Sequence, residues 1–227
     1  MKNSKIIHAL FLSKVYYKEC DAIITLFSKE LGKISAYVRN IKKPKSKIGP
    51  YLQQGTLCQF FVKKGKGNLY SIQESSAMFV PEIDNYEDLL LLNTFSQYIQ
   101  KTCPSEHAEP EIFNLIQSFL PIFCQSDKKK LQLYAFSLKI LTHLSFIQFF
   151  DTDAETELPI PQQHQYFFHP HGISSTKQHP RKISLNEYKI LKFYQTSSFE
   201  NIEKLNITLE QEQNIEMFIQ ELFLCVE

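Results

Sequence analysis

Apolar and polar residues alternate with a period of two through the first third of the chain, and beyond Pro81 the period lengthens to that of a helix. Five segments carry the strand period: Lys5 to Val15, Ala22 to Phe27, Lys33 to Arg39, Thr56 to Lys63, and Leu69 to about Ser75. In the third, Ile34, Ala36 and Val38 share one face while Lys33, Ser35, Tyr37 and Arg39 share the other, because successive strand side chains point to opposite sides. In the fourth, Cys58, Phe60 and Val62 make the matching inward row. Gly32 sits in a tight connection where positive φ costs little, and Lys64-Gly65-Lys66-Gly67-Asn68 reads as a hairpin turn. Five short strands with hardly a helix between them predict a small closed barrel, since closure removes exposed sheet edges. At this size the five-stranded oligonucleotide-binding (OB) barrel leads, with an SH3-like barrel as the alternative.

After Pro81, Asp84 and Glu87 have capping-box spacing, and the helix they open should bury Leu91, Phe95, Tyr98 and Ile99. Pro110 starts a second helix carrying Ile112, Leu115, Ile116, Phe119 and Leu120, which Pro121 should end or kink. Leu131 to Phe146 is apolar almost all round, as the central helix of a bundle would be. Lys128, Lys129 and Lys130 open it against the helix dipole. The pattern gives no structural reason for them and leaves a secondary phosphate contact open. From Asp151 to Arg181 the chain reads as irregular, with Pro159, Pro161, Pro170, Pro180 and Gly172. Two helices finish it. Ser184 with Glu187 and Thr208 with Gln211 are capping boxes, Ile183 and Tyr188 are placed for a hydrophobic staple, and Ile215, Phe218, Ile219, Leu222, Phe223 and Val226 form one stripe. The expected fold class is therefore α+β and multidomain. An N-terminal five-stranded OB barrel, residues 1–80, precedes an α-helical bundle, residues 81–227, interrupted by an irregular loop over 150–182.

Charge sharpens this division. The net charge of +1 over 227 residues conceals 14 Lys+Arg against 4 Asp+Glu in residues 1–78, and 11 against 20 in the remainder. The halves thus carry +10 and −9, a basic binding half and an acidic half with another task. Lys33 to Gly67 holds no Asp or Glu, and Arg39 to Lys47 packs five cations into nine residues. Such density repels itself and marks a surface that meets a polyanion, although a solubilising loop has the same composition. Lys33, Tyr37 and Arg39 on one strand face, then Lys42, Lys43, Lys45 and Lys47, then Lys63, Lys64 and Lys66 around the hairpin, are the candidate nucleic-acid contacts. Cations beside an aromatic ring (Tyr37, with Tyr51 further on) suit a single strand, whose phosphates and bases need both.

Other chemistries find little support. Gly65-Lys66-Gly67 lacks Walker spacing and a following helix, and no nucleophile elbow or HExxH motif occurs. The acidic run Asp151, Asp153, Glu155, Glu157 has no glycine at a metal-turn position. His164, His169, His171 and His179 cluster without a cysteine between Cys124 and Cys225, so a solvated polar loop is favoured over a zinc site or a metal-dependent hydrolase. No cofactor is expected. The five scattered cysteines fit thiols in a reducing cytoplasm. The apolar run Ile6 to Leu12 is too short for a leader, and no run approaches the ~18 apolar residues of a membrane helix.

Leu31-Gly32-Lys33-Ile34-Ser35-Ala36, Lys43-Pro44-Lys45-Ser46-Lys47-Ile48-Gly49, Leu52-Gln53 and Thr56-Leu57 resemble the N-terminal domain of the bacterial recombination mediator family RecO. Asp21 to Leu26 and Gly67-Asn68-Leu69-Tyr70 also fall where that family has such residues. These motifs lie between residues 19 and 75; beyond them the order of elements alone carries the likeness. The resemblance implies a non-enzymatic DNA repair protein that binds single- and double-stranded DNA and anneals complementary strands. It also implies work with RecR to load the RecA recombinase on DNA coated by single-strand-binding protein (SSB), the helical domain docking the SSB C-terminal tail. It assigns DNA contact to Lys33, Arg39, Lys42, Lys43, Lys45 and Lys47, and a cytoplasmic, nucleoid-associated location. Many members carry a four-cysteine zinc module where this chain has the cysteine-free segment 151–181, so zinc is not expected. A generic OB-fold RNA-binding or ribosome-associated factor is the competing reading.

Overall fold

The computed structural model describes residues 4–17, 19–43, 46, 48–65, 67–177 and 180–226, so Lys45, Lys47, Lys66 and His179 lie outside the described residues. The chain divides into two compact units, Met1–Cys124 and Gln125–Glu227. The first unit thus includes two helices as well as the barrel.

In the first unit β1 (Ser4–Tyr17), β2 (Asp21–Ser28), β3 (Gly32–Val38), β4 (Leu57–Lys64) and β5 (Leu69–Phe79) close a barrel in the order β1-β2-β3-β5-β4. At 14 residues, β1 is long enough to serve two neighbours. Its first half pairs with β4 and its second with β2, and a bulge between Phe11 and Ser13 marks the change of register. Only β3 and β5 run parallel, joined from Ser35–Leu69 to Tyr37–Ser71. This is the OB arrangement, and the alternation foretold its interior: Ile34, Ala36, Val38, Cys58, Phe60 and Val62 are all buried in one cluster. Each large aliphatic or aromatic side chain so enclosed contributes ~1.5–3 kcal/mol. Burial also pushes the Cys58 and Cys103 thiols up to about 12, which leaves both protonated and poor nucleophiles.

Helix α1 (Tyr86–Thr102) begins one residue later than the Asp84/Glu87 spacing suggests. Asn85 is the cap: its side chain accepts the Asp88 N–H at 2.9 Å, and the Asp88 carboxylate accepts the Asp84 N–H at 3.3 Å. An Asn with an acid three residues on satisfies the same orphan donors. The buried face turns with it, to Leu92, Phe95, Ser96 and Ile99, and leaves Leu91 and Tyr98 half-exposed. Helix α2 (Pro110–Gln125) runs on through Pro121, because Phe123 is buried with its ring centroid 5.1 Å from that of Phe119 and anchors the last turn.

The second unit centres on α3 (Lys129–His143), with every side chain from Leu131 to Leu138 buried. The Lys128 ammonium donates to the carbonyls of Glu203 and Leu205 at 2.7 and 2.9 Å. That gives this lysine a structural role, capping the end of α5 (Phe199–Ile202). Helices α4 (Leu185–Thr196) and α6 (Leu209–Leu224) carry both expected capping boxes, and the whole Ile215-to-Val226 stripe is buried.

Between α3 and α4 the segment is more ordered than its prolines suggest. β6 (Gln165–His169), β7 (Gly172–Ser174) and β8 (Lys182–Ser184) form an antiparallel sheet, order β7-β6-β8. Tyr166 stacks on Tyr188 with ring centroids 4.3 Å apart, and Phe168 meets Phe218 edge-on at 5.5 Å. Asp153, 1% exposed, ties the turn to the end of β7. Its carboxylate accepts the N–H groups of Ser175 at 2.7 Å and Glu155 at 3.0 Å, and the Ser175 hydroxyl. Burial alone would raise its pKa, but the hydrogen bonds outweigh it and hold the group below its ordinary value. Because the folded pKa is the lower one, this stabilisation is present above the unfolded value of about 4 and fades as the pH falls through the folded value. Asp153→Asn should therefore cost ~1–3 kcal/mol at neutral pH, measured by denaturant unfolding. The gap from the parent should close on acidification below pH 4; a gap that stays constant would show that the carboxylate charge is irrelevant.

Candidate nucleic-acid interface

One row of outward-facing positions crosses the barrel: Val15 pairs with Ile23, Ile23 with Tyr37, Tyr37 with Ser71, and Ser71 with Lys63. Tyr37 and Lys63 therefore stand two strand spacings apart, about 10 Å. Around Tyr37 the sequence pattern gathers more than it promised. The Tyr17 ring meets it edge-on with centroids 6.4 Å apart, and the Arg39 guanidinium lies 5.9 Å from its centre. Tyr17 is 50% exposed and Val15 70%, so the patch offers open aromatic and apolar surface beside charge.

Asp21 organises this patch. One carboxylate oxygen accepts the Tyr37 hydroxyl, and the other accepts the Asn40 N–H at 2.8 Å. The hydroxyl's bond to that carboxylate raises the Tyr37 pKa above its ordinary value. Asn40 takes the left-handed conformation at φ 54°, and there β3 gives way to the basic turn. An Asp at the start of β2 thus fixes both a ring and the departure of the cationic segment. Nothing in the sequence marked Asp21 for this role, since its two partners are 16 and 19 residues away.

At the rim, the Lys42 ammonium lies 4.0 Å from the centre of the Tyr16 ring, and that of Lys14 lies 6.0 Å from it. Lys42 and Lys43 are exposed. The turn they occupy is held by the Lys43 N–H on the Asn40 carbonyl at 3.1 Å and the Ser46 N–H on the Lys43 carbonyl at 2.8 Å. Lys63 and Lys64 are exposed at the end of β4, with Lys64 6.0 Å from the Tyr70 ring centre. Two sequence candidates are placed otherwise. The Lys33 ammonium donates to the Gln100 carbonyl at 2.6 Å, near the C-terminal end of α1 where a cation complements the dipole. Tyr51 packs half-buried against the barrel core. Neither belongs to the Tyr37 patch.

The described residues contain no cluster of three or more His, Cys, Asp or Glu side chains suited to a metal ion. His169 and His171 do approach, ring centroids 5.6 Å apart. The His171 N–H donates to His169 Nδ1 at 3.2 Å, and His171 Nδ1 lies 3.2 Å from the Phe146 carbonyl. Both Nδ1 atoms are occupied within the protein. Among the described residues, no helix is long and apolar enough to cross a membrane.

A closed five-stranded OB barrel that exposes tyrosine rings beside cations, followed by helices, defines the class: an α+β protein with an N-terminal OB domain. Comparison with known families gives the particular one. The model described as "Recombination protein O N terminal" matches residues 1–79, and "Recombination protein O C terminal" matches residues 84–225. The chain belongs to the RecO family. It is similar to proteins named "DNA repair protein RecO" from Bacillus cereus (strain AH187), Bacillus anthracis (strain CDC 684 / NRRL 3495) and Bacillus thuringiensis subsp. konkukian (strain 97-27). Each is 28% identical over 142 residues, 61% of this chain and 56% of the relative. The chain thus spans about half the length of the curated relatives it matches.

Proposed function

We propose that this protein mediates DNA repair and homologous recombination. It binds single- and double-stranded DNA, anneals complementary strands, and with RecR helps load recombinase on SSB-coated DNA. The observation that carries the reading is the Tyr17–Tyr37–Arg39 group, in register with Lys63, on the OB barrel of a RecO-family chain. The rings stack bases while Arg39, Lys42, Lys43, Lys45, Lys47, Lys63, Lys64 and Lys66 neutralise phosphates. Two strands held this way repel one another less, which lowers the barrier to annealing. Lys33, engaged with Gln100, contributes least. Residues 1–80 form the DNA-binding domain, and residues 81–227 form the helical domain that takes the SSB tail. No residue has a catalytic role; the protein acts as a cytoplasmic, nucleoid-associated mediator through RecR, SSB and, indirectly, the RecA filament.

The test is an annealing assay with the full chain on complementary oligonucleotides, with and without SSB, beside a pull-down on the SSB tail peptide. Annealing together with tail binding is expected. Binding of RNA without either would move the chain to the RNA-factor reading.

Asp21 supplies a second test, because its two effects oppose each other. Removing it takes a negative charge from a phosphate-binding face, yet frees Tyr37. Ring placement is expected to dominate on single strands: Asp21→Ala should lose ~0.5–1.5 kcal/mol of single-strand affinity, with double-strand binding unchanged or tighter. Tyr37→Ala should lose ~1–3 kcal/mol on single strands with little change in salt dependence. Fluorescence anisotropy on matched single- and double-stranded oligonucleotides reads both; tighter single-strand binding by Asp21→Ala would show that charge, not placement, is what Asp21 contributes.

A further inference from the structure

The seam between β3 and β5 is short, pairing only from Ser35–Leu69 to Tyr37–Ser71. Past it β3 turns away at Asn40. At the same level β5 bulges: Phe61 pairs with Glu74 and Val62 with Ile72, so Gln73 is the extra residue. Bulges of this kind re-aim side chains beside functional sites. Between the departing turn and the bulged strand lies a groove of about 730 Å³, within the range that seats small organic ligands.

Its two walls differ in charge. Arg39 and Lys43 stand on the turn, while Gln73, Glu74 and Ser75 stand on β5. Glu74 is the sole acid between Leu31 and Met78. A carboxylate there weakens the basic face for phosphate, so its presence needs another reason. Ser75 pairs with the buried Phe60 and its Oγ is shut off from solvent, so Gln73 and Glu74 are the side chains that β5 offers the groove. A carboxylate only accepts hydrogen bonds. What fits is a ligand with an anionic end for the turn and an amino edge for β5.

We propose that the groove holds one unstacked nucleotide of a single strand, its phosphate toward Arg39 and Lys43 and the amino edge of its base toward Glu74. The barrel then prefers cytosine, whose N4 amino group donates to a carboxylate, over thymine or uracil, which present the O4 carbonyl and are repelled. This rests on the reading of the barrel as a DNA-binding domain, and it adds base selection at one position to contacts that otherwise follow the backbone.

The experiment compares oligo-dC with oligo-dU, pyrimidines of one size, by anisotropy at pH 8, where cytosine is unprotonated. The full chain should bind oligo-dC about three- to ten-fold more tightly, the worth of one hydrogen bond. Glu74→Ala should remove the preference, and Glu74→Gln, whose amide both donates and accepts, should raise oligo-dU binding to that of oligo-dC. Lys43→Ala should weaken both alike. Equal binding of the two oligonucleotides by the parent, or a preference that survives Glu74→Ala, overturns the groove assignment. Binding of neither would instead overturn the DNA-binding reading beneath it.

Discussion

Replacing Lys42, Lys43, Lys45 and Lys47 together with alanine should lower single-strand affinity by about two to three orders of magnitude at 0.1 M salt. The size follows from counterion release: each phosphate neutralised on a single strand contributes about 0.7 to the slope of log K against log salt, so four contribute about 2.8. The parent should show a slope near −3 to −3.5 if ~4–5 phosphates are engaged at once, and the variant a flatter one, carried by Arg39, Lys63, Lys64 and Lys66. The loss should be similar on every sequence, because ammonium groups on a turn meet phosphates as point charges and carry no base-edge geometry. Stability should barely move. Lys42 and Lys43 are exposed, and the hydrogen bonds that shape their turn come from backbone groups and Ser46, not from their side chains. Annealing should fall with affinity. A variant that binds like the parent at moderate salt would reduce Lys42 to Lys47 to a solubilising segment, leaving the Tyr37 patch to carry the binding.

The elements were legible where one periodicity ran long enough to show. Ile34, Ala36 and Val38, or Ile215 through Val226, repeat a single burial pattern over a whole element, and the structure buries them as the pattern requires. Capping boxes were legible when both partners were of the usual type, as at Ser184 and Thr208. The Asn85–Asp88 cap was missed because the neighbouring Asp84–Glu87 pair matched the commoner motif one residue earlier. The small sheet was missed for a different reason. Its strands are three to five residues long and divided by Pro170 and Pro180, too short for alternation to stand out from a loop. The Tyr37 patch was half visible. Tyr37 and Arg39 share a strand face by spacing alone, but Tyr17, Lys63 and Asp21 join them only through strand register, which a barrel fixes by closure rather than by local sequence. Lys33 has the same signature as Arg39 and a different fate, since nothing in its own segment foretells the Gln100 carbonyl.

Gly32→Ala should be among the most damaging single substitutions in the first unit, and a second glycine with the same backbone supplies its control. Gly32 and Gly67 both adopt left-handed conformations, φ 69° and 70°. In either, an alanine meets the ordinary left-handed penalty of ~1–2 kcal/mol. Their surroundings differ. A Cβ on Gly67 would meet nothing within 4 Å, whereas one on Gly32 would lie 1.9 Å from the His107 carbonyl oxygen. That contact is with backbone and cannot be relieved by a rotamer. The chain around His107 is also held to the start of β3: the Glu106 N–H donates to the Lys33 carbonyl at 3.0 Å, and Ser105 and Lys33 form a parallel bridge. Relief of the clash therefore breaks that attachment, and with it the bond from Lys33 to α1 is disturbed. We expect a loss of about 3–5 kcal/mol for Gly32→Ala, the range reached when strain and lost contacts combine. At about 4 °C per kcal/mol for a unit of this size, the melting point should drop ~12–20 °C. Gly67→Ala should cost ~1–2 kcal/mol and leave DNA binding intact. Equal losses at the two positions would mean that left-handed backbone alone sets the cost, and that the close approach of residues 105–107 to β3 contributes nothing to the barrel's stability.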